Sequence, residues 1–173
     1  MAVWQVQVLN FVYRGYSTLY TCAGLREKLR DILQSLGARG DLQLGSYNCE
    51  GGSSVARFQI KLASPIEATP RNVHALTTYD SRDELIARAR GEVLPTAQDL
   101  PRFKAEWKTV SFARNRRMRL APGDCDLVQQ LRQQILPRMS VHVVNDDLRC
   151  SRAFVNYGAP RLTVAALVAI GAS

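Results

Sequence analysis

The sequence predicts an α+β fold made of two tandem strand–helix–strand–strand units, and three observations support this prediction. Trp4 precedes Cys22 by 18 positions, and Trp107 precedes Cys125 by the same 18 positions. A helical pattern of apolar residues follows the first cysteine of each pair, and strand-like runs follow each helix. A duplicated unit explains these matches and predicts a pseudo-symmetric arrangement with mainly antiparallel sheet.

One helix is expected in each unit, starting at its first cysteine. Apolar residues lie three, ten and eleven positions after that cysteine, and these spacings share one helical face. They are Leu25, Ile32 and Leu33 in the first unit, and Val128, Ile135 and Leu136 in the second. Thr21 and Asp124 are the predicted capping residues, and Gly37 and Pro137 are the predicted stops.

Two strand-like runs complete each unit, one after the helix and one after the second cysteine. The clearest alternates apolar and polar residues with the period of two that a half-buried strand requires. The runs are 42–47 and 55–62 in the first unit, and 139–144 and 161–167 in the second.

The first strands of the two units match imperfectly. Trp4, Val6 and Val8 share one face, whereas the same offsets from Trp107 are occupied by polar Thr109 and Ser111. In the second unit the apolar residues Val110 and Phe112 lie on the opposite face. A β-bulge or a one-residue slip explains this difference, and chance matching of the spacings is the alternative.

We place the repeats at 3–64 and 106–170 within a single compact domain, 1–173, because units of this size are marginal alone. Residues 65–105 form an unrepeated, proline-rich connecting insert. A helix at about 81–90 is expected inside it, since Ser81-Arg82-Asp83-Glu84 has the pattern of a capping box and Gly91 follows the apolar residues. We expect this helix to cover sheet; a lid or a partner-docking element is the alternative.

Four cysteines allow three disulfide pairings, and the repeat selects one of them. Cys22–Cys49 and Cys125–Cys150, separated by 27 and 25 positions, each join a helix start to the end of the following strand. A loop of this length is stabilised by about 3–4 kcal/mol in the chain-entropy model. Two such disulfides predict an oxidising compartment, such as the periplasm or the cell exterior.

Other roles for the cysteines remain open. Zinc sites usually contain a short C-x₂₋₄-C pair, which this chain lacks, so neither a metal nor another cofactor is predicted. A cysteine at a helix N-terminus can act as a nucleophile, which makes a thiol-dependent enzyme using Cys22 or Cys125 one hypothesis. Four reduced, buried cysteines in a cytoplasmic protein are the simplest alternative.

The charge of +8 is concentrated in the C-terminal part of the chain. Residues 1–100 contain 11 Lys/Arg and 10 Asp/Glu, whereas residues 101–173 contain 12 and 5, a net charge of +7. This asymmetry favours an anionic partner, which can be nucleic acid, an anionic membrane surface or an acidic protein. A basic surface that only keeps the protein dissolved is the alternative.

The loops between the first strand and the helix differ between the units: one is rich in tyrosine, the other in arginine. The candidate anion-binding residues are Arg114, Arg116, Arg117 and Arg119, together with Arg14. Such a cluster is suited to phosphate, sulfate or anionic lipid. The candidate aromatic contacts, suited to stacking on bases or sugar rings, are Tyr13, Tyr16 and Tyr20. A solvated turn with no ligand is the alternative for the arginines.

The leading hypothesis is an exported, disulfide-stapled binding protein without catalytic activity, because the common catalytic motifs are absent. Its expected partner is an anionic ligand, an acidic protein or a cell-envelope component. Periplasmic or secreted localisation requires that Met1 replaces a removed signal peptide, and the longest apolar stretch, 164–170, is too short for a transmembrane segment. A cytoplasmic protein that binds nucleic acid is the alternative.

Overall fold

A computed structural model confirms the predicted fold class, with two three-stranded antiparallel sheets and their helices. The structure describes residues 1–15, 18, 20–47, 49, 55–151 and 158–171. The first unit consists of β1 (Ala2–Arg14), α1 (Cys22–Ser35), β2 (Gln43–Tyr47) and β3 (Val55–Glu67). The insert contains α2 (Pro70–Leu76) and α3 (Ser81–Arg90). The second unit consists of β4 (Ala105–Ser111), α4 (Cys125–Gln134), β5 (Val141–Asp146) and β6 (Leu162–Ala169).

Both units have the same topology. The strand order is β1-β3-β2 in one sheet and β4-β6-β5 in the other, so the third strand of each unit lies between the first two. Because the outer strands are both antiparallel to the central one, they run parallel to each other. Each helix therefore connects two parallel strands with a third between them, which is a split β-α-β arrangement.

This topology explains why the predicted disulfides form. A helix that crosses between parallel strands begins at the end of the sheet where the second strand finishes. The start of α1 therefore lies beside the exit of β2, and Cys22 is bonded to Cys49 with Cα atoms 5.6 Å apart. Cys125 is bonded to Cys150 with Cα atoms 5.5 Å apart. Both distances suit a disulfide, and no free cysteine remains.

The apparent mismatch between the first strands requires neither a bulge nor a slip. The pairing of β1 with β3 and of β4 with β6 is continuous; the register shift within the second sheet lies in β5, between Val143 and Asn145. Leu9 and Phe11 face the core in the first unit, as Val110 and Phe112 do in the second. Both tryptophans lie on the opposite, outer faces, so it is the outer faces that differ.

Each unit places its helix against the other unit, and the buried residues of both form one cluster. α4 packs on β1, while α1 contacts the segment that follows β4 through Lys28, Asp31 and Gln34. Gly37, just after α1, allows the closest approach: its φ is +96°, and a Cβ there would lie 2.5 Å from the carbonyl oxygen of Leu167. A larger residue at this turn would clash with β6.

Two glutamines of α4 cover the free edge of β1. The Gln134 amide accepts a hydrogen bond from Val12 N and donates one to Val12 O, both at 2.9 Å. The Gln130 amide makes the same pair of bonds to Arg14, at 2.7 and 2.8 Å. A helical step of four residues and a strand step of two both advance by about 6–7 Å, so the two amides match the exposed backbone groups in register.

Helix ends depart from the predictions in detail. The Thr21 hydroxyl accepts from Gly24 N as an N-cap should, but the Asp124 side chain makes no cap bond to α4 and accepts instead from Ala121 N. The capping box of α3 begins at Asp80, one residue before Ser81, because Asp80 and Asp83 accept from each other's backbone N–H groups.

The insert is more ordered than its prolines indicate. Thr69 caps α2, with Pro70 in the first turn, where its missing N–H is harmless. α3 occupies the predicted position but buries only Ala87, so it covers little of the sheets. Within the described residues, no helix is long and apolar enough to cross a membrane.

Loss of the Gln134 amide should destabilise the fold. In Gln134→Ala, Val12 N and Val12 O lose their partners in a partly buried position, and the free energy of unfolding should fall by about 1–2 kcal/mol. Gln130→Ala should lower the free energy of unfolding by less, because its hydrogen bonds to Arg14 are exposed and water can take the place of the Gln130 amide. Urea unfolding measures both.

The matched control is Gln133→Ala, which removes an exposed amide from the same helix. Its unfolding free energy should stay within about 0.5 kcal/mol of the parent. Equal losses of unfolding free energy in Gln133→Ala and Gln134→Ala would contradict the conclusion that Gln134 stabilises the edge of β1.

Candidate functional site

The arginine-rich segment 114–119, called the basic loop below, is a tightly held turn. The Asn115 side chain accepts hydrogen bonds from the backbone N–H groups of Arg117, at 3.0 Å, and Met118, at 3.3 Å. The Met118 side chain is fully buried in the core. Arg119 has a φ of +50°, a left-handed conformation that costs a non-glycine residue on the order of 1 kcal/mol. The loop is therefore anchored by one apolar side chain while its arginines point outward.

α1 holds the base of this loop. The Asp31 carboxylate forms a 2.6 Å ion pair with Arg119, and Lys28 Nζ donates to the Arg119 carbonyl at 3.1 Å. The Gln34 amide oxygen accepts from the Arg117 guanidinium at 3.0 Å. The Asp31–Arg119 pair lies at the surface, where ion pairs add little stability, so its effect is mainly to position the loop.

Arg114 and Arg116 are the cations left available. Both side chains are exposed, and neither has an ion-pair or hydrogen-bond partner within the described part of the chain. An incoming anion would therefore not have to displace a carboxylate from either guanidinium. Arginine can bind a carboxylate, phosphate or sulfate group through two parallel hydrogen bonds.

Arg117 also lines a cavity of about 280 Å³ at the junction of the units, together with Trp4, Gln34 and Arg39. Arg39 was not among the residues predicted from the sequence. Its guanidinium lies 5.3 Å from the centre of the Trp4 ring and pairs with Asp41 at 2.5 Å. This ion pair lowers the pKa of the Asp41 carboxyl.

Arg14 does not lie in the basic loop cluster. Its backbone is bound to α4 through Gln130, whereas the loop is bound to α1. Arg14 lines a larger, polar cleft of about 510 Å³ with Arg57, Asp126, Gln130 and Gln134. The structure thus separates this arginine from the other four.

The predicted aromatic contacts are engaged inside the protein. Tyr13 is 2% exposed, and its hydroxyl donates to the carbonyl of Thr18 at 2.7 Å. The Tyr20 hydroxyl donates to the Asp124 carboxylate, and the two rings meet edge to face with centroids 5.3 Å apart. Tyr16 lies outside the described residues. The Tyr13 ring is therefore buried and not free to stack on a ligand, while the Tyr20 ring is partly buried against the core.

Asp124 is the polar centre that the sequence prediction missed. Its buried carboxylate accepts from Lys28 Nζ at 2.6 Å, from Ala121 N at 2.7 Å and from the Tyr20 hydroxyl. Sequence reasoning assigned it only a capping role, because its partners are about 100 positions away along the chain. This network connects the start of α4 to α1 and to the loop that precedes α1.

Burial changes the ionisation of both tyrosines. Desolvation raises the pKa of Tyr13, with smaller contributions from Asp126 and Asp124. Desolvation also raises the pKa of Tyr20 strongly, and its hydrogen bond to Asp124 adds to the effect. Both phenols therefore stay neutral in the folded protein when an exposed tyrosine would ionise.

No metal-binding arrangement is found among the described residues. Within them, no group of three or more His, Cys, Asp or Glu side chains is placed to hold a metal ion. His142 stacks on Trp107 with ring centroids 4.8 Å apart, and the Trp107 indole donates to Glu67 at 3.0 Å. Because Cys22 and Cys125 are both oxidised, neither provides the thiolate that a thiol-dependent enzyme requires.

Comparisons of this chain with protein-family models, curated proteins and solved structures gave no significant match. Function must therefore be inferred from the geometry and charge of the chain itself.

The raised tyrosine pKa values predict a loss of stability in alkali. Below pH 10, the ordinary tyrosine pKa, both phenols are protonated in the folded and the unfolded state. Their contribution to the free energy of unfolding is then complete and does not change with pH. Above pH 10 only the unfolded state ionises, so the unfolding free energy should fall by about 1.4 kcal/mol per pH unit for each tyrosine.

The measurement is phenolate absorbance in the folded protein at pH 11. Parent and Tyr13→Phe/Tyr20→Phe proteins should absorb equally when folded, because these two phenols stay neutral. In denaturant the parent should show two more phenolates than the variant. An absorbance difference of two phenolates already present in the folded proteins would contradict the burial argument.

Proposed function

We propose that the protein is an exported, disulfide-stapled binding protein without catalytic activity, and that it recognises an anionic ligand or partner through the basic loop. The observation that supports this most directly is that the loop backbone is held in place while two of its arginine side chains are unpaired in the part of the chain that the structure describes. Met118 and the contacts from α1 hold its backbone, while Arg114 and Arg116 are exposed and have no partner within the described residues. A rigid loop that presents free guanidinium groups binds anions with little loss of conformational entropy.

The two disulfides support export. Disulfides of this kind are typical of an oxidising environment, whereas cytoplasmic thiols are kept reduced. The bonds close loops of 27 and 25 positions and staple each helix start to the strand exit beside it. We assign the protein to the periplasm or the cell exterior on this basis.

The nucleic-acid alternative has less support. It requires free aromatic rings beside the cations, but the hydroxyls of Tyr13 and Tyr20 are bound internally and Tyr13 is buried. Arg14 also lies at a different helix from the basic loop. The arginines of the basic loop could bind any polyanion, so a binding test must compare nucleic acid with acidic peptides.

Charge reversal in the basic loop should weaken anion binding. Arg114→Glu/Arg116→Glu replaces two exposed cations by carboxylates, and binding of a fluorescein-labelled decaglutamate should weaken at least tenfold. Fluorescence anisotropy at low salt measures it. Binding by the parent should weaken steeply with added salt, because the contacts are exposed ion pairs.

The matched control is Arg88→Glu/Arg90→Glu on α3, which makes the same change in net charge at two exposed positions. This variant should bind decaglutamate within about threefold of the parent, since the overall charge acts only through screened, long-range attraction. An equal loss in both variants would show that binding depends on net charge alone and would refute a site in the loop.

Export predicts the redox state of the protein in its native cell. Protein captured under acid quench and treated with an alkylating agent before reduction should carry no label, because all four cysteines are bonded. Mass spectrometry gives the count directly. Four alkylated cysteines in protein from its native compartment would contradict the assignment.

A further inference from the structure

The outer face of the first sheet is an uncovered surface with an apolar centre. Side chains of paired residues in antiparallel strands point to the same face, so Val6 shares a face with Ala63, and Val8 with Lys61. Val6 is 58% exposed, Val8 57% and Tyr47 56%. Val6 and Val8 are neighbours on this face, whereas the polar residues Asn10 and Gln59 separate them from Tyr47, and Ala63 is buried. Exposed apolar side chains that are grouped on a folded chain are typical of an interaction site.

The first strand of the second sheet has polar residues at the matching positions, although Trp107 and Val144 of that sheet are also exposed. Two and four positions after its tryptophan, the first unit has Val6 and Val8, whereas the second has Thr109 and Ser111. The backbone topology of the two sheets is the same. Exposed valines at these two positions of the first strand are therefore not a requirement of the fold.

Cations surround the apolar centre. Lys61 lies opposite Val8, and Arg57 lies opposite Val12, on the same face. Neither has an ion-pair contact in the described part of the chain, but the Asp41 carboxylate, paired with Arg39, lies near Lys61. At one end the face meets the cleft that contains Arg14 and Arg57.

The other end of the face continues toward the basic loop. Arg39 lines a cavity with Val6 and Lys61, and it also lines the cavity that contains Trp4 and Arg117. Arg14 and Arg117, which belong to different units, thus lie at opposite ends of one surface. From Trp4 to Arg14 the strand extends for about 33 Å at 3.3 Å per residue.

The charge distribution limits what this surface can bind. A second copy of the chain would bring Lys61 and Arg57 against the same cations, which is unfavourable. Nucleic acid would place phosphates over Val6 and Val8, and these side chains cannot pair with them. An extended peptide laid across the face would leave half of its backbone hydrogen-bonding groups unpaired. An amphipathic helix satisfies its own backbone and presents one apolar face.

We propose that the outer face of the first sheet docks an acidic amphipathic helix of a partner protein, with its apolar stripe on Val6 and Val8 and its carboxylates on Lys61, Arg57 and the arginines at either end. This proposal rests on the proposed function and assigns its anionic partner to the class of acidic proteins. The basic loop contributes one end of the surface through Arg117.

The test uses the intact, oxidised protein and three fluorescein-labelled 18-residue peptides. The first has an apolar stripe of leucine at helical spacing and glutamate on both flanks. The second has the same composition in scrambled order, and the third replaces each glutamate by lysine. The first should bind at least tenfold more tightly than the second, and the third should not bind.

Variants then locate the site. Val6→Asp/Val8→Asp should weaken binding of the first peptide at least tenfold, whereas the matched control Thr109→Asp/Ser111→Asp on the second sheet should leave it within about twofold. Arg57→Glu/Lys61→Glu should weaken binding of the first peptide and allow the lysine peptide to bind. Unchanged thermal unfolding verifies that each variant is folded.

The outcomes separate this proposal from the proposed function. If the scrambled and striped peptides bind equally, or Val6→Asp/Val8→Asp has no effect, the docking surface is refuted while anion binding stands. If neither these peptides nor decaglutamate bind, both are refuted. Tighter binding of an 18-nucleotide single-stranded DNA, or a dimer that Val8→Asp dissociates, overturns the assignment to an acidic protein helix.

Discussion

The buried carboxylate of Asp124 is the interaction on which the arrangement of the two units depends. A buried charge is strongly unfavourable unless it is paired and hydrogen-bonded, and Asp124 has three donors drawn from three segments. Lys28 lies in α1, Tyr20 lies in the loop that precedes α1, and Ala121 N lies in the turn that leads into α4. Since Lys28 also donates to the Arg119 carbonyl, the position of the basic loop follows from the same contact.

Reciprocal packing connects the two units in both directions. α4 seals the edge of β1 with glutamine amides, and α1 holds the segment after β4. An uncovered strand edge invites pairing with other chains, so the glutamines also protect β1 from association through its backbone.

The two units use one backbone plan for different surface chemistry. Their inner faces are both apolar and meet in one core, and such positions tolerate little change because protein cores are densely packed. Outer faces and loops are free of that constraint. The first strand of one unit exposes Val6 and Val8, where that of the other has Thr109 and Ser111, and only in the second unit does the loop between the first strand and the helix contain exposed arginines. Functional chemistry is expected where the copies differ, and these differences meet near Trp4, Arg39 and Arg117.

Local and periodic features were determined by the sequence alone: the order of elements within each unit, the helix starts at Cys22 and Cys125, and the disulfide pairing. They follow from spacing along the chain, which equal intervals in the two units make visible. Tertiary structure alone decided which strand face is buried, that the hydroxyls of Tyr13 and Tyr20 are bound inside the protein, and that Arg39 lines a cavity with Arg117. Alternation shows that two faces differ but does not show which one meets the core, because Val6 and Val8 are as apolar as Leu9 and Phe11. Contacts across about 100 positions, such as Tyr20 with Asp124, leave no periodic signal, since they depend on how the two units pack together.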